Sequence, residues 1–401
     1  MVIVIDALRA DHLPFYGYPK NTAPFLNRLS QKSSVFLHAY SAATWTSPAV
    51  GSLLTSLYPF QHRVTGGNLA DITREEGKRP LLVSAIAESI TTMAEVLKKC
   101  GYRTFGMSSN FLISQSFGYA KGFDYFHNFR MKTDARFLHA KLAKWEKELH
   151  KGPYHLYIHY TDVHVPYRRR APWYHREENR RADIISAYDS NIHYVDAEIS
   201  ALYEWLGWEY DTIIIVTADH GEELWDHGYR GHGRNLFDGT LRVPLLVFLP
   251  KGGSTVRLIK PNVSQVDILP TLCDYLGQKP DPQFEGRSLL PAMRGNSEYL
   301  AGRPIYAHLE RGPYRFRAIL RDRWKLIMTP EGDPGWLFNL ETDPGEKKNL
   351  AMSSREAGRK REMADLYREF EAKSRKYEQK LVPLKASRKQ LEQLRALGYI
   401  H

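Results

Sequence analysis

Residues 210–223, YDTIIIVTADHGEE, hold the clearest strand in the chain. Thr212 to Val216 is β-branched and apolar with no polar face, the pattern of a strand covered on both sides in a parallel sheet. It ends on Asp219 and His220, with Gly221 next. Two bulky polar groups at a buried strand end need partners, because burying them unpaired is costly. Two other stretches share the design. Val2 to Ile5 is an apolar strand closing on Asp6, and PYHLYIHYTDVHVPY, residues 153–167, is a strand running into a polar loop with Asp162 and His164. Open α/β sheets bind their ligands at the carboxyl ends of the strands, so these ends are expected to converge.

Between the strands lie helical patterns. Residues 48–57 read as a short buried helix. Residues 90–110, ITTMAEVLKKCGYRTFGMSSN, read as an amphipathic helix, a stop at Gly101 and a further strand. Residues 179–208 carry apolar groups at three-to-four spacing and predict a long helix. RVPLLVFLP, 242–250, is another strand, and VSQVDILPTLCDYLG, 263–277, a helix ended by Gly277. Strands alternating with helices predict an α/β fold, a doubly wound and mostly parallel sheet flanked by helices. After about residue 300 the texture changes. RPIYAHLE, RFRAILRDRWKLIMT and GWLFNLE read as short antiparallel strands separated by turns such as TPEGDPG. The expected organisation is a main domain over 1–300, a small α+β subdomain over 301–352, and a charged helical tail over 353–401, read as a solvated amphipathic helix.

The composition narrows the partners. Lys plus Arg number 56 against 45 Asp plus Glu, a formal charge of +11, which suits anionic partners or simply a solvated basic surface. Nucleic acid is disfavoured, since basic and aromatic residues do not interleave as stacking platforms do. Cys100 and Cys273 form no CxxC pair and read as two buried free thiols. No run approaches the roughly 18 apolar residues of a membrane span. Met1 sits on the first strand with no lead-in, which favours an upstream piece such as an export signal, although cytosolic residence is the other reading. Membrane association and oligomeric state stay open.

SAATWTSPAVGSLLTSLYP, residues 41–59, has the cadence of a nucleophile turn: small residues, a Pro, then an apolar run. It has no Cys, and its hydroxyls near the Pro are Thr44, Thr46 and Ser47. A divalent ion held by Asp6, Asp219, His220 and the Thr46 oxygen is chemically coherent, since carboxylates and an imidazole suit Zn or Mn and tolerate Mg or Ca. Such an ion would help Thr46 lose its proton and would polarise an ester oxygen. His164 and His232 would hold the remaining anionic oxygens or protonate the leaving group. His227 is a further imidazole in DHGYRGHG.

These motifs resemble the sulfatase family of the alkaline phosphatase superfamily. VIVIDALRADHLPFYGYPKNTAPFLNRLSQ, LLTSLYPFQHRV, MAEVLKKCGYRT, KGFDYF and HYTDVHVPY follow one another in the family's order, as do TADHGEELWDHGYRGHG, LRVPLLVFLP, SQVDILPTL, EGRSLLP, LFNLETDPGEKKNLA and the tail LRALGYI. Family members that cleave sulfate esters use a formylglycine made from Cys or Ser in Cys/Ser-x-Pro-x-Arg. The resemblance lays that motif on TSPAV, with Thr46 at the Cys position, Pro48 matched and Val50 in place of the Arg. A Thr carbinol oxidises to a ketone, not an aldehyde, so the resemblance implies no formylglycine and Thr46 as a direct nucleophile. The usual Asp-Asp and Asp-Asn pairs appear as Ile5-Asp6 and Asp219-His220, and the Lys and His after GYRT as Ser109 and Phe111. Asn110 would then supply a substrate contact, His164 matches the HxPY histidine, and His232 in GHG takes the place of a basic residue.

Asp, Thr, Asp and His form the pattern of the superfamily's phosphorus branch. Two-zinc members add an Asp-x-x-x-His pair, but Asp162 is followed four later by Pro166, so one divalent metal (Mn, Zn, Mg or Ca) is the main expectation. A second site from Asp162, His164 and His232 is the alternative. The expected function is a metal-dependent hydrolase or transferase acting on a phosphate mono- or diester of a small molecule, lipid or glycan. The competing readings are a sulfatase without formylglycine and a non-catalytic anion-binding protein. Specificity is expected from loops 65–90 and 168–185. The basic run YRRRAPWYHREENRR, 167–181, is either a solvated loop or a clamp for a polyanionic substrate.

Overall fold

The computed structural model describes residues 1–64, 83–250, 253, 258–379 and 383–384. Its centre is an eight-stranded sheet built from β1 (Val2–Ile5), β2 (Ser34–Phe36), β3 (Arg103–Ser108), β4 (Tyr125–Asn128), β5 (Tyr154–Tyr160), β6 (Ile214–Thr217), β7 (Leu245–Phe248) and β8 (Leu258–Ile259). The spatial order is β8-β2-β7-β6-β1-β5-β3-β4. β1 lies between β5 and β6 and runs parallel to both, while β7 runs antiparallel to its neighbours β6 and β2. β1, β5 and β6 are buried on both faces apart from the half-buried Tyr154, which is why they read as near-continuous apolar runs.

The register explains where the polar residues meet. Val4 lies opposite His159 of β5 and Thr217 of β6. Side chains alternate between faces along a strand. Asp6 and Asp219, each two residues further on, therefore leave the sheet side by side on the face that also carries His159.

The helices that matter for the site are α1 (Pro24–Ser30), α2 (Thr46–Thr55) and the 27-residue α3 (Arg180–Leu206). α2 begins two residues before the helix expected from the sequence. Pro48 is tolerated because it falls in the first turn, where its missing N–H has no intrahelical partner to lose. Thr46 thus becomes the first helical residue, and every residue of α2 is buried. Asn179 caps α3 by accepting from Arg181 N and Ala182 N, and Gly207 ends it at φ 62°.

α3 fixes the turn after β1. Ala7 adopts a left-handed φ of 61°. The Tyr188 hydroxyl donates to Ala7 O at 2.7 Å and accepts from Arg9 N at 2.9 Å. Asp196 accepts from Phe25 N and Leu26 N, both at 2.8 Å, and so caps the start of α1.

A second sheet of four antiparallel strands, β9 (Ile305–Arg311), β10 (Tyr314–Arg321), β11 (Trp324–Met328) and β12 (Pro334–Asn339), follows in sequence order. Helix α4 (Ala357–Ser374) packs on it through Met363, Ala364 and Tyr367, which join a second apolar core with Tyr58, Phe60, Tyr306 and Leu326. Charge dominates its sequence, yet one face is buried, and Phe370 stacks on Tyr306 at 3.7 Å. Cys273 is buried, Cys100 is half-buried, and both are free thiols. No helix among the described residues is long and apolar enough to cross a membrane. The tail motif LRALGYI and residues 65–82 of the expected specificity loop lie outside the described residues.

Candidate active site

Asp6, Thr46, Asn110, His159, Asp219 and His220 converge beyond the carboxyl ends of β1, β5 and β6, and all six are buried. The two carboxylates are held differently. Asp219 Oδ1 accepts from Ala7 N at 3.2 Å and His220 N at 2.8 Å, while its Oδ2 has no hydrogen-bond partner among the described residues. Asp6 Oδ2 accepts from Asn110 Nδ2 at 2.8 Å, and its Oδ1 is likewise unpartnered. His220 Nδ1 lies 2.8 Å from Gly221 O, a carbonyl that can only accept, so the ring carries its proton there and turns a bare Nε2 inward. That Nε2 lies 3.6 Å from Asp6 Oδ1, 3.5 Å from Asp219 Oδ2 and 3.4 Å from Thr46 Oγ1. Asn110 Nδ2 also donates to Thr46 Oγ1 at 3.3 Å.

Gly221 is required by close approach. A Cβ there would lie 2.2 Å from Gly239 O, where the chain after His220 pairs backbone to backbone with Gly239 and Thr240.

The electrostatics move the two carboxylates in opposite directions. Burial raises both carboxylates. For Asp6 the neighbouring His164, His159 and His220 outweigh it and hold the group below the usual range. For Asp219 burial and the Asp6 charge together push it well up. His220 is lowered by burial. Orphaned carboxylate oxygens facing bare imidazole nitrogens are the donors a divalent cation takes. Asp6, His159 and Asp219 present one ligand atom each, all within 4.8 Å of one another.

Two further imidazoles stand above this centre. His164 donates from Nδ1 to Val165 O at 2.6 Å, leaving Nε2 unpartnered, and burial pushes it down to about 4. His232 Nδ1 lies 2.9 Å from Glu222 Oε1, and burial holds this ring well below its ordinary value. The His232 ring sits 4.3 Å from that of His220 and 4.9 Å from that of His164.

The sulfatase family model matches residues 1–278, about two thirds of the chain. The chain belongs to the sulfatase family. A second model, N-sulphoglucosamine sulphohydrolase, C-terminal, matches residues 226–374 of this sulfatase-family protein. Choline-sulfatase of Rhizobium meliloti (strain 1021) is 34% identical over 192 residues, 45% of this chain and 35% of that protein. The chain thus spans about a third of the length of such curated relatives. The multifunctional alkaline phosphatase superfamily protein PehA of Trinickia caryophylli is 23% identical over 484 residues, covering 88% of this chain and 90% of its own. In fold, the protein is similar to phosphonate monoester hydrolase of Agrobacterium radiobacter, with TM-score 0.74 at 19% identity over 93% of this chain and 95% of that one.

Within this sulfatase-family fold, Asp6, Thr46, Asn110, His164, Asp219, His220 and His232 are gathered in one place. Other sequence candidates are not. Asp162 Oδ1 instead accepts from Arg170 Nη2 at 2.6 Å, and burial pushes its carboxyl up to about 6. His227 pairs with Glu223 at 2.7 Å and stacks on Phe237. The basic run is largely ion-paired: Arg168 and Arg170 with Asp134, Arg169 with Asp183, and Arg181 with Asp226. These pairs tie the loop to the body of the protein, which weighs against a free clamp.

Three site residues escaped the sequence reading. His159 hides inside an apolar strand, where a polar side chain at a buried alternating position was the available signal. Glu222 accepts from the Tyr167 hydroxyl at 2.9 Å while holding His232. Lys132 has φ 66° and donates to Thr161 O at 3.0 Å; burial pushes it down to about 8, with Asp6, Asp162 and Glu222 opposing. Nothing in its sequence neighbourhood marks it.

Proposed function

We propose that this chain is a metal-dependent hydrolase or transferase that acts on a phosphate mono- or diester, with Thr46 as the attacking group. The position of the Thr46 hydroxyl carries the proposal: it is buried at the first residue of α2, 3.4 Å from His220 Nε2 and 3.3 Å from Asn110 Nδ2. A helix amino terminus stabilises negative charge, which favours both the alkoxide and an anionic substrate. Asp6, Asp219 and His220, with the Thr46 oxygen, would hold a divalent ion, and their orphaned oxygens and bare nitrogen fit one. When bound, the ion lowers the pKa of the hydroxyl and polarises the ester.

The remaining work falls to the chain. Asn110 orients Thr46 Oγ1 through its amide. His164 and His232 are neutral when free, and an arriving anion favours their protonated forms. Thr46 reacts as its alkoxide, the hydroxyl proton having passed to solvent; as the Oγ–P bond forms, the bond from phosphorus to the leaving oxygen breaks, and His164 Nε2–H gives that oxygen its proton. Neutral His164 then takes a proton from water or an acceptor alcohol, which displaces Thr46. Water makes the protein a hydrolase, an alcohol a transferase. The anionic ester of a small molecule, lipid or glycan is the substrate class.

Sulfate ester hydrolysis is the second reading, favoured by the likeness to choline-sulfatase and by the sulphohydrolase match over residues 226–374. A sulfo-Thr has no hemiacetal route to expel sulfate, so turnover would need direct attack by water. A binding protein without turnover is the third reading, supported by the charge of +11. Release of nitrophenol from the phosphate monoester, phosphate diester and sulfate ester separates them, measured with and without Mn, Zn, Mg or Ca and beside Thr46→Ala. Metal-dependent phosphoester cleavage lost in Thr46→Ala is the expected outcome. Dominant sulfate release, or activity that survives the substitution, would overturn it.

A further inference from the structure

We infer that His159 is a metal ligand in its own right, making this centre a nitrogen-rich site that takes a zinc- or manganese-class ion in preference to calcium or magnesium. The inference deepens the metal-dependent reading above and rests on it.

The observation is a set of spacings. His159 Nε2 is fully buried and unpartnered, 3.5 Å from Asp6 Oδ2 and 3.7 Å from Asp219 Oδ2. The second imidazole, His220 Nε2, shares Asp219 Oδ2 at 3.5 Å and faces the other Asp6 oxygen, Oδ1, at 3.6 Å. Hydrogen bonds from N–H to oxygen close to about 2.7–3.2 Å. An imidazolium present only to neutralise two carboxylates would be drawn into that range. A tetrahedral ion with bonds of about 2.1 Å instead keeps its donors about 3.4 Å apart. The imidazole-to-carboxylate distances stand close to that separation, and Asp6, His159 and Asp219 each turn a ligand atom to within 4.8 Å of the others.

The donor chemistry points the same way. Calcium takes roughly six to eight oxygens, and magnesium a near-octahedral oxygen shell. The centre offers two carboxylates, one hydroxyl and two imidazoles, and imidazole favours transition ions. The strand register accounts for the second imidazole. His159 lies opposite Val4, one period below Asp6, so its ring reaches the centre from beneath the sheet edge. Tyr157 Oη lies 3.1 Å from His159 Nδ1 and can accept its N–H, which leaves Nε2 bare. Ligating histidines are commonly oriented by such a partner.

The test uses the full chain stripped of metal by chelator, with Zn, Mn, Ca and Mg titrated separately by calorimetry. X-ray absorption on the zinc-loaded protein counts imidazole ligands. Tight zinc or manganese binding, calcium at least roughly tenfold weaker, and two imidazoles on the ion are expected. His159→Asn is expected to weaken zinc roughly tenfold or more and to leave calcium binding unchanged. One imidazole on the ion, or calcium binding as tight as zinc, overturns the inference and leaves the metal-dependent reading standing. Binding of none of the four ions overturns both. The absorption measurement on the unsubstituted protein decides the matter if His159→Asn does not fold.

Discussion

Thr46 is the residue on which the proposed chemistry turns, and its surroundings make its substitutions informative. Removing the hydroxyl in Thr46→Ala is expected to lower kcat by roughly 10³-fold or more, the scale on which nucleophiles act. Thr46→Ser keeps the oxygen at the start of α2 and is expected to retain most of the activity, measured as kcat on the preferred nitrophenyl ester. Retained activity in both would remove Thr46 from the reaction. Legibility at this scale varied with local context. Asp6, Asp219 and His220 stood out because each follows an apolar strand, where a polar side chain needs a reason. Thr46 lay in a turn-like stretch with two other hydroxyls, Thr44 and Ser47, and the resemblance made it the attacking one. His159 sits inside a strand, so only the register with Val4 brings it to the centre. Lys132 reaches the site from a loop with no periodicity to read.

At the scale of elements, the site depends on two buried supports. The Tyr188 hydroxyl bridges Ala7 O and Arg9 N and holds the left-handed turn that places Asp6. Tyr188→Phe leaves both groups buried without that partner, at about 1–3 kcal/mol. A lower Tm and a lower kcat are expected together, with KM changed less. His62 supports α2: its Nδ1 accepts from Val64 N at 3.0 Å, and its Nε2–H donates to Ser52 at 3.0 Å. Burial depresses His62 from 6.5 to about 3. The unfolded chain therefore binds this proton first as pH falls, so the stabilisation is full above pH 6.5 and is lost progressively toward pH 3. The loss is on the order of 4 kcal/mol. Urea titrations across that window are expected to show it, and His62→Gln to flatten it. The strands were legible from their apolar runs. The antiparallel course of β7 was not, because a strand covered on both sides looks the same in either direction. The start of α2 was missed by two residues because Pro48 reads as a boundary although it is allowed in a first turn.

At the scale of the molecule, the charge of +11 coexists with a basic run that is mostly consumed in ion pairs, so net charge alone did not locate a binding surface. The C-terminal sheet and α4 share an apolar core with Tyr58 and Phe60, which follow α2 in the chain. The charge-rich sequence of α4 concealed this, since three or four apolar residues on one face are enough to dock a helix. Loading the metal is expected to stabilise the whole protein, by about 2.7 kcal/mol at a hundredfold excess over Kd. Thermal melts before and after chelation read this directly, and an unchanged Tm would argue against an ion at Asp6 and Asp219. The most direct measurement of the proposed chemistry is the mass of the acid-quenched protein during turnover of a phosphate ester, with peptide mapping. A phosphoryl group on Thr46, absent from Thr46→Ala, is the expected result. A phosphoryl group on another residue, or steady turnover by Thr46→Ala at the rate of the unsubstituted protein, would contradict it.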